Sequence, residues 1–516
     1  MGCTSAGKKA DEKEVEAVDA PKVEETQEPA ATPGVVSSIG LPASTYAIVT
    51  VPDPSKRLEE IRALAGAIAP SGPDSMGALA KPLEAFDAAH PIHLLVLDPQ
   101  SYDSPVAVIG RVTDADALVS LLPPGTEVRT SGELTILATP DTAKNIDPWV
   151  AESLPKRATP SVITADVDTE FSRKQYALFR PLLMMGMKQD APGAEVGLKM
   201  FELMESAGAQ VGGLQVRIEL GADRFDLVFV LEGKPDTTFQ ALARAQSAVR
   251  LPADLARKVA TEDAHMIGAA NLTLESRRVM EQMVNVLISS SSGVLPEHFA
   301  KFMKRWNEAS GDKMAFSGTM TALTQMSVGY YIEVGDEAIA KAFLDEDWRD
   351  YFSQSFESMG ISKFEGKGCT TDSALLGDGV DVIKCEGHTL FVEQPNGVKL
   401  PDQDTNIAGA VVDGFMLMAM GDPERIVTLQ QGLRAEPTLE LPWLADAQRR
   451  NEWGAFYMDL GRVAQATGAP GAPGAAMEFA TGSEGDAITM RIGLPAQALA
   501  AFASMGGGSP YSNSGL

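Results

Sequence analysis

Basic and aromatic side chains are scarce in this sequence. Lys and Arg number 43 against 70 Asp and Glu, a formal net charge of −27 over 516 residues, and Phe, Trp and Tyr together make up only 6%. Nucleic-acid affinity comes largely from clustered cations on the phosphate backbone, so this balance sets nucleic acid aside as a partner. No run approaches the 18 or more consecutive apolar residues of a membrane-spanning helix. Histidine occurs five times and cysteine three times. The length nonetheless allows two to four domains with sizeable cores.

Chemical motifs are equally thin. There is no G-x-S-x-G elbow, no H-E-x-x-H helix and no G-x-G-x-x-G loop. The stretch Gly360 to Gly368 imitates a phosphate loop, but its spacing is one residue too long and Gly368 stands where Ser or Thr should bind magnesium. His90 and His93 are the sole close histidine pair, with no further ligands in view, so they read as flanking a strand that begins at Ile92. Asp402, Asp404 and Asn406 mimic the opening of a calcium loop, with Asp413 at the twelfth position. Ile407 stands where that loop needs Gly, which favours an Asx-rich turn between strands. Ser289 to Ser292 precede Gly293 as a loop does, without a base placed near them. The sequence therefore predicts no catalytic residue, no metal and no cofactor: a protein that is not an enzyme.

What is present is a recurring pattern. A strand such as Val106–Gly110, Leu227–Leu231, Tyr330–Val334, Phe415–Met420 or Ile488–Ile492 meets a break and then a short amphipathic helix. Asp422-Pro423 fits an N-cap followed by Pro at the first helical position. A second pattern places a longer helix after Tyr46–Val49, Ser161–Val167, Met266–Leu272 and Gly454–Met458. Interleaved, the two give strand, helix, hairpin, helix, several times over. The hairpin Leu214–Leu220 with Phe225–Leu231, turning at Gly221-Ala222-Asp223, argues for antiparallel pairing. The expected class is α+β: repeated strand-helix and hairpin-helix units forming antiparallel sheets with helices packed on one face. The expected segments are 1–40, 41–158, 159–260, 261–400, 401–505 and 506–516, the first and last disordered. Gly468 to Gly474 is an expected loop.

The N-terminus carries the address. Met1-Gly2-Cys3-Thr4-Ser5 leads into a segment with eight acidic and four basic residues before Gly34, and Pro21, Pro29 and Pro33 interrupt any helix. Such a segment cannot bury enough surface to offset its ordering entropy, so it reads as a solvated tether. A small residue, a cysteine and a polar linker resemble the mature start of a bacterial lipoprotein. The resemblance implies lipid on Cys3, a membrane partner through that lipid, and a cell-envelope location, outer membrane over inner because Thr4 follows the cysteine. The charged and apolar parts of a signal peptide do not precede Cys3 here. Myristate on Gly2 with palmitate on Cys3 is a rival, against which stands Ala6 where that pattern wants Ser or Thr. The body, by its patterned repeats, resembles repeat-built envelope proteins of bacteria.

Two features remain. An exported protein with one spare cysteine pair oxidises it, and Cys369 and Cys385 flank a turn at Gly377-Asp378-Gly379, so a hairpin disulfide is expected. Methionine, at 22 residues, clusters as Met184-Met185-Gly186-Met187, Met200 with Met204, and Met416, Met418 and Met420. Spacings of three and four on helices and two on a strand are those of core stripes. Flexible thioethers also line adaptable apolar grooves. The functional expectation is a non-enzymatic envelope lipoprotein that presents its body to a protein or apolar ligand, with a lipid carrier as the alternative.

Overall fold

Alternation of apolar and polar residues produces, among the described residues, nineteen strands in one sheet. The computed structural model describes residues 40–68, 85–114, 118–119, 124–177, 205–206, 208–221, 223–279, 281–282, 297–322, 325–348, 362–377, 379–391, 402–466 and 474–499. The strands are β1 Thr45–Val51, β2 Ile92–Leu97, β3 Val106–Gly110, β4 Glu127–Ser131, β5 Leu134–Ala138, β6 Ile163–Val167 and β7 Val211–Leu220. They continue as β8 Arg224–Gly233, β9 Met266–Asn271, β10 Ser310–Ala322, β11 Gln325–Val334, β12 Ser362–Asp372 and β13 Val382–Phe391. The last are β14 Gln403–Asp404, β15 Ile407–Val412, β16 Phe415–Met420, β17 Gly454–Asp459, β18 Ala476–Glu484 and β19 Ala487–Pro495. Every pairing is antiparallel, and with helices laid on the sheet the class is α+β.

The spatial order differs from the chain order. Across the sheet it runs β4-β5-β3-β2-β1-β6-β7-β8-β19-β18-β17-β9-β10-β11-β16-β15-β13-β12, with the short β14 beside β13. The expected unit recurs within it. β1, β6, β9 and β17 each pair with the first arm of the hairpin that follows, namely β2, β7, β10 and β18. Each such trio then joins another like to like: first strands pair as β1–β6 and β9–β17, third strands as β8–β19. The sheet is thus a row of three-stranded meanders, alternately reversed. It runs unbroken through the expected cuts at 158, 260 and 400, and β17 to β19 sit between β8 and β9. The N-terminal tether, residues 468–473 and the C-terminal tail lie outside the described residues.

Local signals explain several boundaries. Asp413 and Gly414, at φ +50° and +79°, form the two-residue turn between β15 and β16 that Asp-Gly favours. Asp413 is therefore a hairpin residue, bonded by Arg434, and the calcium-loop spacing is accidental. The helix after β16 is Arg425–Arg434, not one starting at Pro423. Asp422 accepts from the Glu424 amide in the turn before it. The helix Thr238–Gln246 has a real cap, Thr237 Oγ1 accepting from the Gln240 amide.

Side-chain alternation divides the sheet into two faces. On one, Ile267, Ala269, Ala315, Tyr331, Leu417, Ala419 and Ala455 pack under the helices Ala253–Val259, Arg425–Arg434 and Pro442–Arg449. The Tyr331 hydroxyl donates to the Leu429 carbonyl at 2.7 Å, and Gly432 admits it, since a Cβ there would stand 2.8 Å from that oxygen. Farther along the same face, Ile48, Leu95, Leu97, Ile109 and Ile136 lie under the helix Pro140–Glu152. On the opposite face, Ile332, Met416 and Met418 pack with Phe302, Phe343 and Leu344 from the helical segments Glu297–Ala309 and 337–347. So β11, β15 and β16 carry helices on both sides.

Candidate functional site

The second face has a property that no single strand reveals. All ten methionines on the described strands lie on it: Met266, Met314, Met320, Met326, Met416, Met418, Met420, Met458, Met477 and Met490. The registers establish this, because residues directly opposed across an antiparallel pair share a face. Met477 opposes Met458, which opposes Met266; Met320 opposes Met326, and Met490 opposes Thr481. One row of opposed residues reads Ile163, Ile218, Leu227, Ile492, Phe479, Phe456, Gly268, Phe316, Tyr330, Met418. The rings in it touch, with centroids 5.8 Å apart for Phe316–Tyr330 and Phe316–Phe456 and 6.3 Å for Phe456–Phe479. Gly268 makes this possible: the Phe316 ring lies over it, 2.7 Å (Cζ) from where a Cβ would be.

The two ends of this face are covered. Phe343, Leu344, Phe302 and Trp306 close it over Met416 and Met418, which are only 1% and 3% exposed, so these two methionines are core. At the far end Ala85, Phe86 and Leu118 pack on Ile92 and Leu137. Between the ends, no hydrophobic core cluster among the described residues lies on β7, β8, β19 or β18 on this side. The helix Pro54–Ile68 reaches β7, and the helix Leu460–Ala466 reaches β17 and β18. Here β7 presents Leu214, Val216, Ile218 and Leu220, and β8 presents Phe225, Leu227, Phe229 and Leu231, all half-buried. β19 presents Met490 and Ile492, and β18 presents Met477 and Phe479. Met490 is 39% exposed and Phe479 38%. Among the described residues, no strand position of this span is ionisable. At about 4.8 Å per strand, the six strands from β6 to β17 make it roughly 29 Å wide.

The reverse side of the same strands is ionic. Arg491, 4% exposed, donates to both oxygens of Glu452 at 2.8 and 3.0 Å, and to Asp226 and Glu478 at 3.2 Å. Arg224 donates to Asp226 and Glu478 as well, and Arg450 to Glu219. Gly493 leaves room for this stack, since a Cβ there would stand 2.7 Å from Asp226 Oδ1. Burial pushes the Glu452 carboxyl up, while its bonds from Arg491 pull the other way. The network staples β8 to β19 and to the loop before β17. Its charges have mutual partners, so it reads as structure, not chemistry.

The residues singled out in the sequence are dispersed. Cys369 and Cys385 are disulfide-bonded, directly opposed on β12 and β13 with Cα atoms 4.0 Å apart. The arms of that hairpin begin farther from the turn than Leu376 and Val380, at Asp372 and Val382. His93 is buried on β2 with Nδ1 3.0 Å from Thr50 Oγ1, and burial holds its pKa down at about 4. His90 instead neighbours Asp87 and Arg111, so the two rings serve separate partners. His388 Nδ1 lies 3.1 Å from Asp404 beside an open cavity of about 610 Å³ that Asp402 and Asp422 also line. No group of three or more His, Cys, Asp or Glu suited to a metal occurs among the described residues. Lys367 of the phosphate-loop imitation lies on β12, where the register slips between Gly366 and Gly368. Cys3, Ser289 to Ser292, and the methionines at 184, 185, 187, 200 and 204 lie outside the described residues.

No helix among the described residues is long and apolar enough to cross a membrane. No protein-family model matches the chain, and no curated protein matches it. Two solved structures align with it, crystal forms III and I of TP0453. Each is 12% identical over 49% of this chain, covering 98% and 97% of the TP0453 chain, with TM-scores of 0.26 and 0.23.

Proposed function

We propose that this protein is a non-enzymatic, lipid-anchored protein of the bacterial cell envelope, and that the uncharged methionine-bearing face of its sheet binds the acyl chains of a lipid. The observation that carries the reading is the apolar span over β7, β8, β19 and β18, on which Phe479 and Met490 are exposed. In a chain with a net charge of −27 the described strand residues of this span carry no charge, and they are aliphatic, Phe and Met side chains with Thr481 and Ser483 near the β18–β19 turn. Exposed apolar surface of this kind marks a binding site, and thioethers adapt to flexible chains. Protein interfaces draw on Tyr, Trp and Arg at their centres, and the described strand residues at the middle of this span, on β7, β8, β19 and β18, include none of them, which favours lipid over a protein partner. Anchoring rests on the Gly2-Cys3 start and its acidic linker.

A fluorescent fatty acid tests the binding. The protein should bind it saturably, and Val216→Glu combined with Phe479→Glu should weaken binding at least tenfold, since burying one such side chain is worth about 1.5–3 kcal/mol and tenfold is about 1.4. Absence of binding by the parent protein ends the reading. Anchoring is tested separately: Cys3→Ser should move the protein from membrane to soluble fraction in its native host, and unchanged fractionation removes the lipid on Cys3.

A further inference from the structure

Resting on that reading, we infer that the apolar span consists of two half-sites of matching register and takes acyl chains in pairs, so that its ligand is a two-chain lipid. The seam between β8 and β19 carries the inference. In one hairpin Leu220 opposes Phe225 and Gln215 opposes Val230; in the other Ser483 opposes Ile488 and Glu478 opposes Gly493. Counted from their turns, the two hairpins therefore have the same register. Val216 of β7 takes the place that Phe479 takes on β18, and Leu227 of β8 the place of Met490 on β19.

The two hairpins meet through their last strands, and Val228 lies directly opposite Arg491. These two occupy the same position in their own hairpins, so a local two-fold axis passes between them. On the apolar face, that axis exchanges the pair Leu227–Ile492 with the pair Phe229–Met490. β6 and β17 extend the relation outward, each pairing with the first arm of its own hairpin. One half is β6-β7-β8 and the other β19-β18-β17, each roughly 14 Å across at about 4.8 Å per strand. An acyl chain fills one leaflet of a bilayer whose apolar core is about 30 Å thick, so about 15 Å of chain matches one half. Two chains joined at one head fit a surface whose halves abut at an axis.

Native mass spectrometry of the full chain with lysophosphatidylcholine and with dioleoylphosphatidylcholine tests this. The single-chain lipid should saturate at two per protein and the two-chain lipid at one. Val216→Glu and Phe479→Glu should each leave one single-chain site. The parent stoichiometry stands as the primary readout, so a variant that misfolds does not remove the test. Saturation of the parent at one single-chain lipid overturns the paired sites while leaving apolar binding intact. No binding of either lipid, or a dimer that buries this face and excludes lipid, overturns the binding reading and the pairing together.

Discussion

Replacing Gly268 by alanine should cost the protein about 2–3 kcal/mol, although the site is a strand position where alanine is intrinsically the better residue. The new Cβ would overlap Phe316 Cε1 and stand 2.7 Å from its Cζ. The ring cannot slide freely, because it is held between Tyr330 and Phe456 at 5.8 Å on either side. Forcing a methyl into such a contact costs about 1–3 kcal/mol. A tilted ring also forfeits part of its two aromatic pairs, each worth about 0.5–1.5 kcal/mol. Against this, alanine regains about 0.5–1 kcal/mol of the chain entropy that glycine loses in a strand. Urea unfolding followed by tryptophan fluorescence reads the sum, and a double-mutant cycle isolates its cause. With Phe316→Ala already present, Gly268→Ala should be neutral or stabilising, a coupling of about 2 kcal/mol or more. An equal cost in both backgrounds, or no cost in the parent, would show that the ring does not lie over Gly268.

Three further outcomes are expected. His93 is held neutral, its pKa lowered from 6.5 to about 4, so the stability it contributes is complete above pH 6.5 and is lost as pH falls through about 4. That loss approaches about 3 kcal/mol at 1.36 kcal/mol per pKa unit, and His93→Gln should flatten the acid limb of a stability–pH curve between those values. Arg491→Met strands Glu452 and Asp226 as buried acids and should destabilise by about 3–5 kcal/mol, with Glu452→Gln in the same chain restoring part of it; a silent Arg491→Met would mean the network is solvated. Reducing Cys369–Cys385 opens a short loop and should lower stability by about 3 kcal/mol in the chain-entropy view, and two free thiols on the unreduced, denatured protein would refute the bond.

Strand identity was legible where alternation and length agreed. Val106–Gly110 and Phe415–Met420 stand in the structure with the limits the sequence suggests, and the β7–β8 hairpin follows its Gly221 to Asp223 turn. Strands with weak alternation were not visible: β4 carries Glu127 and Arg129, and β10 holds Gly311, Asp312, Lys313 and Gly318 among its apolar residues. β10 is held by β9 and β11 on its two sides and β4 by β5 alone, partners whose contribution a local window does not contain. The disulfide was readable because its hairpin is local. The order of the meanders was not, since nothing in β8 names β19 as its neighbour. The methionine face escaped for the same reason: Met266, Met458 and Met477 look unrelated until the registers place them side by side. Single-strand spacing found only Met416, Met418 and Met420, of which Met416 and Met418 are buried core.

The β8–β19 seam also sets the timing of folding. Arg224 bonds Glu478 across 254 residues of chain, and Arg491 bonds Asp226 across 265. A ribosome adding about 5–20 residues per second leaves β8 without its partner for roughly 10–50 s after it emerges. Throughout that interval the nascent chain exposes an unpaired strand edge of ten residues, beside the most apolar surface of the sheet. Long-range closure of this kind is slow on topological grounds. A chain that stops before Ala487 leaves that edge open permanently. Strand β19 thus decides whether β8 gains its second partner, and a chaperone that holds nascent chains is expected to protect the stretch ending at Gly233 until then.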